Sequence, residues 1–97
     1  MITLNNLDNK IFLLQKEMDE FILNFAYTRN KHLLDLNKLK CKCAYFIDTA
    51  KSFQREYNML NNFEDNNLQD KITQIIRNAI YSSDLIDIYI TVYAENI

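Results

Sequence analysis

Residues 36–60 read LNKLKCKCAYFIDTAKSFQREYNML, and this stretch decides the fold. Its apolar residues recur at alternating steps of three and four, which places their side chains in one stripe along an α-helix. At ~1.5 Å rise per residue the stripe is about 37 Å long, and it is stable in water only when an apolar surface covers it. Flanking segments or a partner must supply that surface. The stripe consists of Leu36, Leu39, Cys43, Phe46, Ala50, Phe53, Tyr57 and Leu60.

The segments on both sides repeat this pattern, so they predict the covering surface. We therefore predict an all-α fold, an up-down-up bundle of three long helices with coiled-coil-like packing, in one domain spanning residues 1–97. The first stripe consists of Leu4, Leu7, Ile11, Leu14, Met18, Phe21 and Phe25. The last consists of Leu68, Ile72, Ile75, Ala79, Ser82, Ile86, Tyr89 and Tyr93, and a neighbouring row of Ile76, Ile80 and Ile90 widens it.

Three short segments leave alternatives open. The stripe slips in phase at residues 28–32, which indicates either a turn between two helices or a stutter in one very long helix; average helix length favours the turn. A break at Ser82-Ser83 would make a fourth helix. Residues 86–92 alternate apolar and polar with high β propensity, so an edge strand paired across a dimer is the alternative to the favoured helix. Residues 61–67, rich in Asn and Asp, predict a loop.

The composition excludes several classes of function. Gly and Pro are both absent, so a glycine-rich phosphate-binding loop is excluded. The chain has 97 residues, too few for both a large core and a deep catalytic cleft. The only histidine, His32, has no Ser, Cys or carboxylate partner at a catalytic spacing, and Cys41 and Cys43 do not supply the four ligands of a zinc site. We therefore predict no enzymatic activity, no metal and no cofactor.

Neither a membrane-spanning run nor a secretion signal is recognisable in the sequence, and two cysteines close together in one helix cannot bridge each other. We therefore expect a cytoplasmic protein with reduced thiols and no membrane partner. Asn, Ile, Lys and Tyr total 39 residues, whereas Gly, Ala, Arg and Pro total 8. This bias indicates an AT-rich genome, such as that of a low-GC bacterium, its phage, a large DNA virus or a protozoan.

Charge is segregated along the chain. Residues 29–55 have a net charge of +5, whereas residues 1–28 have −2 and residues 56–97 have −5. We interpret the basic residues mainly as partners of the two acidic helices, because the pI of 5.3 is far below the >9 of a typical nucleic-acid-binding domain. The alternative is a nucleic-acid-binding regulator that uses this helix, or contact with an acidic partner. The basic residues are Arg29, Lys31, Lys38, Lys40, Lys42, Lys51 and Arg55.

Large apolar residues outside the three stripes indicate a surface that contacts another protein. Aromatic residues and Met are enriched at interfaces, so we predict a protein-protein interaction module that binds through an apolar helical face. An adaptor, an inhibitor, an immunity protein or an assembly factor would fit, and a homodimer is the simplest assembly. The predicted interface consists of Phe12, Leu13, Leu23, Tyr27, Leu34, Tyr45, Met59, Phe63 and Tyr81.

Overall fold

The computed structural model describes residues 4–27, 33–59 and 66–95, and these ranges are helical throughout. Helix α1 spans Leu4–Tyr27, α2 spans Leu33–Met59 and α3 spans Asn66–Glu95. The predicted all-α bundle of three helices is confirmed. Helix α3 continues through Ser82-Ser83 and through residues 86–92, so neither a fourth helix nor a strand forms in these described segments. Coiled-coil-like interdigitation and the single-domain assignment stay predictions.

Ion pairs between α1 and α2 show that the two helices are antiparallel. The Lys10 Nζ lies 3.6 Å from the Glu56 Oε2, and the Lys42 Nζ lies 3.7 Å from the Glu17 Oε2. Residue numbers therefore increase along α1 in the direction in which they decrease along α2. The two helices thus run in opposite directions. Residues 28–32, for which the sequence leaves a turn or a stutter open, lie outside the described residues.

Helices α1 and α3 are parallel. The Lys71 Nζ lies 3.7 Å from the Asp8 Oδ1 near the start of both helices. Toward the other end, the ring of Tyr89 meets that of Phe25 edge-on, with 5.9 Å between the ring centroids. The order is therefore up-down-up, as predicted, in a rod whose extents are 54 × 20 × 19 Å.

The three predicted stripes form the core. Every member of the α1 stripe whose side chain is described is buried, and the described part of the middle stripe is buried apart from Leu39 and Phe53, which are partly covered. In α3 the stripe is buried from Leu68 to Ile86. The buried core consists of Leu7, Ile11, Leu14, Met18, Phe21, Phe25, Leu36, Cys43, Phe46, Ala50, Tyr57, Leu68, Ile72, Ile75, Ala79, Ser82 and Ile86.

Two predicted core residues of α3 are exposed instead. Tyr89 is 44% exposed, although its ring meets that of Phe25 near the end of α1. Ile80, which lies one position beyond the stripe residue Ala79, is 46% exposed. The prediction that Ile80 widens the buried face was therefore wrong, whereas its row neighbours Ile76 and Ile90 are partly buried.

Small core residues are confined to α2 and α3 within the described helices. They are Cys43 and Ala50 on α2, with Ala79 and Ser82 on α3, whereas α1 contributes only Leu, Ile, Met and Phe. The distance between packed helices depends on the side chains at their contact. Accordingly, α2 and α3 approach each other more closely than either approaches α1. Helix α1 therefore lies on a tight pair of helices, with a groove along each of its sides.

Candidate protein-binding surface

The groove between α1 and α3 contains two adjoining cavities. The first, of about 320 Å³, lies between Phe12 of α1 and Ile75 of α3, and its other lining side chains are mostly polar. The second, of about 370 Å³, is lined by Ile22, Tyr81 and Leu85, among others. Asn78 lines both cavities, so they form one continuous surface. We call this surface the α1–α3 groove.

Large apolar side chains project from the edges of this groove. Phe12 is 63% exposed and Tyr81 is 67% exposed. Ile88 and Val92 are also exposed, and together with Tyr81 and Leu85 they follow the steps of four, three and four that mark one face of a helix. Helix α3 therefore has a second apolar stripe beside its core stripe.

Charged residues of both signs flank the groove. On α1 they are Lys16 and Asp19, which line the first cavity. On α3, Arg77 and Asp84 lie on the exposed side of the helix, one turn before and one turn after Tyr81, and line neither cavity. All four are exposed. Within the described ranges the ion pairs involve other residues, so these four charges have no salt-bridge partner in the described part of the protomer.

The groove between α1 and α2 is more polar and is crossed by ion pairs. It contains a cavity of about 390 Å³ that is lined mainly by polar side chains, among them Glu17 and Lys42. A second cavity, of about 170 Å³, is lined in part by Leu13, Tyr45 and Phe53. The Lys42 Nζ lies 4.5 Å from the centroid of the Tyr45 ring, an attractive cation-π geometry, and also pairs with Glu17. Because charged groups cover much of this groove, it offers a partner less apolar surface than the α1–α3 groove.

The predicted interface residues are exposed wherever their side chains are described, but they do not form one surface. Phe12 and Tyr81 border the α1–α3 groove, and Leu13 and Tyr45 border the groove between α1 and α2. Leu23 projects elsewhere on α1, and Met59, 73% exposed, is the last residue of α2. Their role as contacts stays a prediction. The predicted interface residues outside the described side chains are Tyr27, Leu34 and Phe63.

Sequence reasoning missed Ile88 and Val92 as surface residues. The sequence did contain the signal, because apolar residues occur at every second position of 86–92. In a helix, residues two positions apart point to nearly opposite sides, so Ile88 and Val92 cannot share a buried face with Ile86. That alternation leaves open whether the run is a helix or a strand, and so it does not by itself assign a surface. Once the helix is established, the same alternation places Ile88 and Val92 outside the core stripe.

The basic residues of α2 divide into two groups. Lys40 pairs with Asp87 of α3, and Lys42 pairs with Glu17 of α1, so these two charges join neighbouring helices. Exposed pairs of this kind contribute about 0–1 kcal/mol each. Lys38, Lys51 and Arg55 are exposed and form no ion pair with any described residue. The remaining predicted residues, Arg29 and Lys31, lie outside the described ranges.

The two thiols differ in environment and should differ in reactivity. Cys41 is exposed, whereas burial raises the pKa of the Cys43 thiol from 9.0 to about 11. The thiolate is the reactive form, so at pH 8 only on the order of 0.1% of Cys43 is reactive. We expect a thiol reagent to label one cysteine per folded chain and two after unfolding, as read by mass spectrometry. Equal labelling rates of Cys41 and Cys43 in the folded protein would contradict this placement.

Comparison with protein families, with curated proteins and with solved structures finds no match to this chain. No group of three or more metal-binding side chains occurs within the described residues. Over the same ranges, none of the helices is long and apolar enough to cross a bilayer.

Proposed function

We propose that this protein is a non-enzymatic protein-protein interaction module that binds its partner in the α1–α3 groove. It would act as an adaptor, an inhibitor, an immunity protein or an assembly factor. One observation carries the proposal: two aromatic residues, Phe12 and Tyr81, are each more than 60% exposed beside adjoining cavities, of which the one at Tyr81 is mainly apolar. Aromatic residues beside pockets are the usual anchors of protein interfaces.

The free energy available from this surface supports binding. Covering a fully exposed large apolar side chain contributes about 1.5–3 kcal/mol, and Phe12, Tyr81, Ile88 and Val92 are all exposed. Large contiguous apolar patches are uncommon on monomeric soluble proteins, and they mark interaction sites. The mixed charges around the groove add the polar rim that is typical of a reversible interface.

Site-specific photo-crosslinking tests the proposal. A benzophenone amino acid would replace Tyr81 in one variant and Lys51, on the exposed face of α2, in a matched control. After irradiation in an extract of the native source, we expect protein adducts from the Tyr81 position and few from the Lys51 position. No adduct at Tyr81, or equal adducts at both positions, would contradict binding in this groove.

The alternative function, a nucleic-acid-binding regulator, would depend on the exposed Lys38, Lys51 and Arg55. Three phosphate contacts predict a slope of about −3 in log affinity against log salt, too small for tight binding at physiological salt. We expect the protein to elute from heparin below about 150 mM salt, where such charge contacts are already screened. Tight retention that falls steeply with salt would favour the nucleic-acid function instead.

We also propose that the protein acts in the cytoplasm. The reducing conditions there would keep both thiols in the unpaired state seen in the fold. The AT-rich genomic origin stays a prediction.

A further inference from the structure

We propose that the partner in the α1–α3 groove is a second copy of this chain, docked antiparallel about a two-fold axis that passes beside Tyr81. The inference rests on the proposed function, because it names the partner of that same groove. Two-fold dimers are the commonest protein assemblies, and in them each contact occurs twice with the roles of the copies exchanged. The surface must therefore be complementary to itself.

The charges on α3 meet this condition. Arg77 and Asp84 are seven residues apart on one face of the helix, which corresponds to about 10.5 Å along the axis. That separation is too long for an ion pair within one chain, and neither residue pairs with any other described residue. A two-fold axis between Ile80 and Tyr81 brings Arg77 of one copy opposite Asp84 of the other. The symmetry produces this pair twice.

Residues of α1 fit the same axis. The contacts of Asp8 with Lys71 and of Phe25 with Tyr89 set the relative height of the two parallel helices, so the axis crosses α1 between Lys16 and Met18. It brings Lys16 of one copy within one turn of Asp19 of the other. The same two-fold operation therefore brings together a second pair of opposite charges. Neither charge has an ion-pair partner within the described part of the protomer.

The axis also joins a projecting ring to a cavity. It carries Phe12 of one copy to the level of Ile22 in the other, where the cavity of about 370 Å³ lies between Ile22, Tyr81 and Leu85. A cavity of ~150 Å³ is enough to hold benzene, so this one has room for a phenyl ring. Phe12 would fill the cavity of each copy, and the two Tyr81 rings would lie next to the axis.

The available area agrees with a dimer. The long face of the rod measures 54 Å by 20 Å, which is of the same order as the ~800 Å² per partner of a standard interface. One axis thus accounts for the exposed aromatic rings, the apolar cavity and the four charges that have no ion-pair partner among the described residues.

Sedimentation velocity with charge-reversal variants tests the dimer. The unmodified protein should show a concentration-dependent shift from monomer to dimer. Arg77→Asp places like charges opposite each other at two symmetric positions, and it should raise the dimer dissociation constant about tenfold or more. The double variant Arg77→Asp with Asp84→Arg restores opposite charges and should return the constant to within about threefold of the original. The matched control Lys51→Asp, which makes the same change of charge on α2, should leave it unchanged.

The outcomes separate this inference from the proposed function. Circular dichroism of each variant establishes that the helices are intact. A monomer at all concentrations up to about 1 mM, which corresponds to a binding free energy weaker than −4.1 kcal/mol, would overturn the dimer. If Arg77→Asp leaves the dimer dissociation constant unchanged, or if the double variant fails to restore it, the proposed geometry is overturned. A crosslink from Tyr81 to a different protein, with the chain itself monomeric, would overturn the dimer and leave the proposed function standing.

Discussion

Phe46→Ala is expected to lower the free energy of unfolding by about 3–5 kcal/mol, the usual cost of removing a buried phenyl ring. Phe46 is fully buried in the middle of α2, and its ring meets that of Phe21 edge-on at 5.5 Å between the centroids. Truncation would leave a cavity between α1 and α2 and would remove this aromatic contact. Since small domains are stable by only about 5–15 kcal/mol, the variant should be near the limit of folding.

Chemical denaturation followed by circular dichroism measures this effect. The matched control is Phe12→Ala, which removes the same ring from an exposed position and should change the monomer's stability by no more than about 0.5 kcal/mol. The comparison should be made at a protein concentration low enough to exclude association. Equal costs at Phe46 and Phe12 would contradict the assignment of core and surface.

Ala50→Leu is expected to destabilise the protein by about 1–3 kcal/mol, although leucine is apolar and a good helix former. Ala50 is fully buried, and it is one of the small residues that let α2 and α3 approach closely. A leucine side chain there would force the helices apart or adopt a strained rotamer. The loss of stability would thus come from overpacking, which hydrophobicity alone does not predict.

Ala44→Leu provides the control for this prediction. Ala44 lies on the same helix but is exposed, so the larger side chain has room and the change should stay within about 0.5 kcal/mol. Both variants can be compared by thermal or chemical denaturation. If Ala50→Leu were neutral or stabilising, the close approach of α2 and α3 at this position would be contradicted.

The sequence predicted the helices and their buried faces because these depend on local periodicity. Steps of three and four residues bring apolar side chains onto one face whatever the neighbours are, so the stripe from Leu7 to Phe25 was found correctly. Tyr89 shows where this reasoning ends. Its position in the stripe is correct, but its exposure depends on how the neighbouring helices cover it, and no local pattern of α3 contains that information.

The candidate surface was only partly predictable. Phe12 and Tyr81 could be selected as apolar residues outside the stripes, because that too is a property of one helix. That they border one common groove could not be predicted from the sequence. It depends on the position of α1 relative to α3 along the bundle axis and on the wider distance of α1 from the other two helices. Leu13 and Tyr45 were selected by the same rule, yet they border a different groove.

Hydroxyl-radical footprinting of the protein in an extract of its native source tests most directly whether the α1–α3 groove is a binding surface. The chain contains its own references, because Met59 is exposed outside both grooves and Phe46 is buried. At the protein's working concentration, we expect Phe12 and Tyr81 to be oxidised far less than in the dilute purified protein, while Met59 stays reactive and Phe46 stays protected. If Phe12 and Tyr81 were oxidised equally in both conditions, the α1–α3 groove would be open in its native setting, which would contradict its role as the binding surface.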